Sequence, residues 1–198
     1  MALSIKEKYD LIYAHEEQLA YRLGKEVINK PEVSVWMILI PILFLHHMYK
    51  INQYKAGVSS FAKGMLDPRK KALDMAYQDA SQGRLSHREV LDYFPELDAG
   101  VEQQMKLAQK QVKMIQVLQQ HYFSLLRESG QSYEDIIKKA YPSSGDYRRY
   151  MNSLEQAEKE LYTYLNRKIH TNEESRKIIK NMEKCSQRIR EDELRYFF

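Results

Sequence analysis

Apolar side chains recur at intervals of three and four through most of this chain, and the recurrence breaks down in one place. Ile5, Tyr9, Ile12, Leu19, Leu23 and Val27 mark one face of a first helix. His15 and Glu16 interrupt that stripe, and Ser4 and Glu7 open the helix at the spacing of a capping box. From Val33 to Tyr49 the chain reads VSVWMILIPILFLHHMY, and between Val35 and Leu45 no side chain carries a charge or an amide. Pro31 and Glu32 suit a helix start: proline in the first turn gives up no hydrogen bond, and glutamate meets the positive end of the dipole. A helix apolar on every side is either enclosed by protein or lies in lipid.

Beyond Lys50 the pattern becomes one-sided again. Ile51, Tyr54, Val58, Phe61 and Met65 form a narrow face suited to a partner helix, and Gly57 and Gly64 beside it would permit close approach. Asp67-Pro68 predicts that this helix stops and another starts. A short helix through Ala72, Met75, Ala76 and Ala80 follows, ending at Gln82-Gly83. Ser86 and Glu89 make a second capping box, for a turn or two ended by Pro95, and residues 89–98 are locally acidic. Asp98 is expected to cap the cleanest long helix, where Val101, Met105, Ala108, Val112, Ile115, Leu118, Tyr122 and Leu125 run in a near-heptad.

Ser129-Gly130 closes that helix, and Ser132 with Asp135 opens a short one through Ile136, Ile137 and Tyr141. Residues 142–145 read as a loop. Two further helices follow, one on Leu154, Ala157, Leu161 and Leu165, the other on Ile178, Met182, Cys185 and Ile189. The terminal Tyr196, Phe197 and Phe198 are expected to tuck onto the body. The prediction is an all-α, elongated helical bundle of about six to eight helices with one Pro-kinked apolar helix. It divides into an amphipathic helix (residues 1–30), the apolar helix with its amphipathic continuation (31–66) and a charged helical body (67–198).

The apolar segment can be read two ways. At 1.5 Å per residue its uninterrupted part covers about 17 Å, or roughly 25 Å when extended to Tyr49. A bilayer core is about 30 Å thick. Its nine Val, Ile, Leu and Phe residues favour insertion by about 4 kcal/mol, which Ser34, Pro41, His46 and His47 partly cancel. Pro41 gives Met37 no amide donor and predicts a kink, and in lipid the segment is expected either as a helix-break-helix that enters and leaves on one face or as a single short span.

Membrane contact is the reading adopted, through Val33, Val35, Trp36, Ile38, Leu39, Ile40, Pro41, Ile42, Leu43, Phe44, Leu45 and Tyr49. Trp36 and Tyr49 bracket the run as interfacial aromatics do. Lys50, Lys55, Lys63, Arg69, Lys70 and Lys71 follow against the single acid Asp67, which suits an anionic cytoplasmic leaflet. In the alternative, a cytoplasmic bundle buries residues 33–49 at its centre.

Composition adds limits. A formal charge of +4 with basic doublets scattered among acids, and no basic stripe interleaved with aromatics, argues against nucleic-acid binding. One cysteine, Cys185, rules out an internal disulfide and fits a reducing compartment. The opening residues lack the apolar core of a secretory signal.

No cofactor, metal or catalytic constellation is found. The residues three before each histidine (Ile12, Leu43, Phe44, Arg84, Leu118, Arg167) include no acid, unlike a di-iron bundle, and His15-Glu16-Glu17 is followed at position 19 by leucine, unlike a zinc protease helix. Adjacent His46 and His47 point about 100° apart on a helix, poorly placed to share a metal. The expectation is a non-catalytic scaffold, adaptor or accessory subunit on the cytoplasmic face of a membrane. It would contact lipid and a protein partner or a second copy, with no small-molecule substrate.

Overall fold

The computed structural model describes residues 3–27, 54–98, 101–168 and 173–198. These form seven helices and no strand: α1 (Ile5–Val27), α2 (Tyr54–Ser81), α3 (Val90–Tyr93), α4 (Glu102–Arg127), α5 (Tyr133–Ala140), α6 (Ser144–Lys168) and α7 (Glu173–Phe197). The expected all-α bundle is present. The apolar stretch from Val33 to Tyr49, with its kink at Pro41, lies outside the described residues, as do Lys50 and Ile51.

Several helix ends follow the residues that predict them. The Ser4 hydroxyl accepts from the Glu7 amide at 3.2 Å, and the Glu7 carboxylate accepts from the Ser4 amide at 2.7 Å. Ser132 accepts from the Asp135 amide at 3.1 Å and starts α5. Two ends move. α3 is opened by Glu89 and Asp92, because the Ser86 hydroxyl is engaged with the buried Asp79 carboxylate instead. α6 begins inside the expected 142–145 loop, because the Ser143 hydroxyl accepts from the Asp146 amide at 3.2 Å.

The largest departure is at Pro68. Asp67-Pro68 does not separate two helices; α2 runs through it from Tyr54 to Ser81. Proline removes only its own amide donor, and the residue whose carbonyl loses that donor is Gly64, which has no Cβ to crowd the turn. Packing along both halves then holds the helix together. Ala62, Leu73 and Ala76 are all enclosed.

α1 and α2 pack antiparallel: Gly24 meets Val58 and Phe61, Glu16 meets Arg69, and Tyr9 donates to Asp74 at 2.5 Å. α6 runs antiparallel to α4, with Lys113 on Glu160 and His121 on Tyr150. α7 returns antiparallel to α6, from Met182 beside Tyr162 to Phe197 beside Tyr147. It also lies along α1 through the pairs His15–Glu193 and Glu26–Arg188. The main core gathers Ile12, Leu73, Ile115, Leu118, Leu125, Ile136 and Tyr147. A smaller one holds Leu23, Val27, Val58, Phe61, Met182 and Ile189.

The face of α2 expected to receive a partner helix is used within the chain. Val58 and Phe61 are buried against α1 and α7, and Met65 packs at the edge of the same cluster. A close approach is made from α1's side. A Cβ on Gly24 would stand 3.3 Å from Phe61 Cδ1 and 3.3 Å from Val58 Cγ1. Gly24→Leu should therefore push the helices apart and cost about 1–3 kcal/mol in a denaturant melt. The chain's end is split: Phe197 is enclosed, whereas Tyr196 is 71% exposed.

Candidate functional site

Among the described side chains of the basic run, Lys63, Arg69, Lys70 and Lys71 do not share one surface. Lys63 is exposed, and Lys70 reaches Asp74 of its own helix at 2.8 Å. Lys71 is half-buried, lies 4.5 Å from the Phe94 ring centroid and donates to the Tyr93 carbonyl. Arg69, expected among the surface bases, is only 5% exposed. The reason is register. One turn past Met65, on the inward face of α2, Arg69 meets the position where Glu16 interrupts the apolar stripe of α1.

Arg69 is the centre of a buried ionic ladder. Its Nε donates to Glu16 Oε2 at 2.9 Å, and a terminal nitrogen lies 3.6 Å from Glu158 Oε1. Glu158 is held from its other side by Arg190. The ladder thus alternates acid, base, acid, base and joins α1, α2, α6 and α7. Burial works against the charge on Arg69, but the Glu16 carboxylate, with Glu158 behind it, more than restores it and raises its pKa. Burial first, and then the nearby Glu16 charge, push the enclosed Tyr122 phenol well above its ordinary range, and its hydroxyl has no hydrogen-bond partner among the described residues.

Two histidines flank the ladder with pKa shifts of opposite sign. His121 Nδ1 and the Tyr141 hydroxyl are 2.7 Å apart, and its ring stacks on Tyr150 at 3.9 Å and 8°. Burial, with the nearby charges of His15 and Arg69, pushes the His121 pKa down to about 3, so the ring is neutral. His15 stacks on Tyr133 at 4.0 Å, and its Nε2 is 3.3 Å from Glu193 Oε1. Burial opposes its charge, but the Glu193 hydrogen bond and the Glu16 charge outweigh that and raise the pKa. His15 Nδ1 is enclosed without a hydrogen-bond partner among the described residues.

It borders an internal cavity of about 30 Å³ lined also by Glu16, Arg69, His121, Tyr150 and Glu193. That is room for a bridging water. A wider cleft of about 550 Å³ opens outside it between Tyr133, Glu193, Tyr196 and Phe197.

This interior can hold charge and water in fixed positions, but it offers no activated nucleophile. Burial raises the phenols of Tyr133, Tyr147 and Tyr150 well above their ordinary range. Cys185 is half-buried, and burial together with Glu26 pushes its thiol up. Among the described residues, no group of three or more His, Cys, Asp or Glu side chains could hold a metal ion.

The two histidines predict a pH response. Unfolded His121 takes up a proton near pH 6.5 and the folded protein does not until about pH 3, so stability falls as pH drops through that window. His121→Phe keeps the stack on Tyr150 and leaves the half-buried Tyr141 hydroxyl to water. Its thermal midpoint should fall less steeply than the parent's between about pH 6 and pH 4. His15 has the opposite sign: its contribution is present below the unfolded value and lost as pH rises through the raised folded value.

Fold and interior together define a helical bundle organised on a buried charge network. Comparison with protein-family models, with curated proteins and with solved structures finds no match. Among the described residues, no helix is long and apolar enough to cross a membrane.

Proposed function

We propose that this protein is a non-catalytic helical scaffold or accessory subunit, held to the cytoplasmic face of a membrane by the sequence 33–49. The observation that carries the reading is where the chain enters and leaves residues 28–53. The end of α1 and the start of α2 lie side by side, with Gly24 against Val58 and Phe61. Both flanks of the apolar sequence therefore leave the body at one end. A single span needs its flanks on opposite sides of the bilayer; a re-entrant insertion has them on the same side. Pro41, near the middle of residues 28–53, is where such an insertion would turn.

A second consideration supports lipid over a central burial of the segment. The apolar stripes of α1, α2, α4, α6 and α7 already face one another in the two cores. What remains exposed on the body, including Tyr196, Leu85 and Leu91, is available to a protein partner. Flotation with lipid vesicles tests the reading. The full chain should rise with the vesicles and stay with them through a high-salt or alkaline wash. Recovery in the lipid-free fraction under all conditions would contradict it.

A further inference from the structure

Of the bases expected to face an anionic leaflet, Arg69 and Lys71 are drawn into the fold, and α7 carries a further exposed set. On α7, Arg176, Lys180 and Lys184 follow one another at a spacing of one helical turn and are all exposed. Among the described residues none of the three is tied into an ion pair. The inward side of the same stretch, through Ile179, Met182 and Ile189, is buried. Met182 and Ile189 pack on Leu23 and Val27 of α1 and on Val58 and Phe61 of α2.

Lys184 is the member of the stripe nearest the point where residues 28–53 leave and rejoin the body, and Arg176 lies about 12 Å farther along the helix. Exposed Lys25 and Lys63 lie on the adjoining turns of α1 and α2. Farther along α7 the sign changes, to Glu191, Asp192 and Glu193, which are engaged by Arg148, Arg22 and His15. Acids stand in the first half of α7 as well, at Glu173, Glu174 and the exposed Glu183, but Arg176, Lys180 and Lys184 share one outward face.

We infer that Arg176, Lys180 and Lys184 form a docking surface for anionic lipid headgroups, beside the apolar sequence. The inference rests on the membrane reading and gives it a lipid preference. An acidic bilayer fits better than an acidic protein, because a flat negative surface next to an inserting apolar sequence engages both features at once. Each base near such a surface adds attraction that salt screens.

The test measures binding of the full chain to vesicles of phosphatidylcholine alone, and to vesicles with about 30% phosphatidylserine, at roughly 0.1 M salt. The parent should prefer the anionic vesicles. The triple variant R176Q/K180Q/K184Q should bind them on the order of a hundredfold more weakly, with its binding to phosphatidylcholine unchanged. These side chains stand in solvent, so circular dichroism and the thermal midpoint should match the parent.

Lys138→Gln with Lys139→Gln, on α5, should leave the preference intact. Equal binding to both vesicles by the parent, or an undiminished preference in the triple variant, overturns the stripe and leaves membrane attachment standing. Binding to neither vesicle overturns both. Retention of single-stranded RNA by the parent but not by the triple variant, with equal vesicle binding, assigns the stripe to nucleic acid and overturns it.

Discussion

Arg69→Met should lower the stability of this protein by about 3–5 kcal/mol, the cost of leaving buried charge without a partner. Glu16 and Glu158 are 5% and 6% exposed, and Arg69 stands between them. Removing the guanidinium leaves the Glu16 carboxylate enclosed with no base, and leaves Glu158 with Arg190 alone. For a chain of this length the midpoint of a thermal melt should fall by roughly 6–20 °C. Lys138→Ala, which removes a pair exposed on α5, should change stability by less than about 0.5 kcal/mol.

Adding Glu16→Gln to Arg69→Met should recover part of the loss, because the stranded charge goes with it. A small effect of Arg69→Met alone would mean that water reaches the ladder and that the network does not fix the packing of the four helices it joins.

The second large effect concerns residues 33–49. Leu39→Asp with Leu43→Asp places two carboxylates in the middle of the apolar run, at about 2.5–3.5 kcal/mol each if that position lies in lipid. Vesicle binding should weaken by more than about a thousandfold. On the membrane account the thermal midpoint of the lipid-free protein should hardly change, because the described members of both cores pack against one another. The competing account, in which the run is buried in protein, predicts the reverse: a large drop in the midpoint. The double variant therefore separates the two by which observable moves.

Much of the fold could be read from periodicity, because the apolar stripes of α1, α4, α6 and α7 are the buried faces of those helices. Ile12, Leu23, Ile115, Leu118, Leu161 and Met182 all point inward. Capping residues located ends where the local hydrogen bond has no rival, as at Ser4 and Ser132. They misplaced the start of α3, where the Ser86 hydroxyl had a buried carboxylate to serve.

Pro68 misled for a related reason. Proline weighs against a helix interior in isolation, but packing on both sides of it carries α2 through. Val58, Phe61 and Met65, expected to face a partner, are covered within the chain, because an apolar stripe does not say which chain covers it. Here α1 and α7 do.

The ionic ladder was half visible. Glu16 and His15 break an otherwise apolar stripe, which is the mark of a polar group carried into a core. A buried acid implies a buried base. What the sequence lacks is the pairing: Arg69 sits in a run with Lys70 and Lys71 and looks like one more surface charge. Only the register of α1 against α2 distinguishes it. The stripe on α7 was hidden for the opposite reason. Its bases are spread one per turn, and they become a patch next to the departing chain only once α7 is packed against α1.

The only tryptophan in the chain is Trp36, inside the apolar sequence, so its fluorescence reports on that sequence alone. On addition of anionic vesicles its emission should shift to the blue and be quenched by lipids brominated along the acyl chains, while accessibility to iodide falls. A monomeric, lipid-free protein whose Trp36 is already shielded from iodide, with a spectrum that vesicles leave unchanged, would contradict membrane attachment.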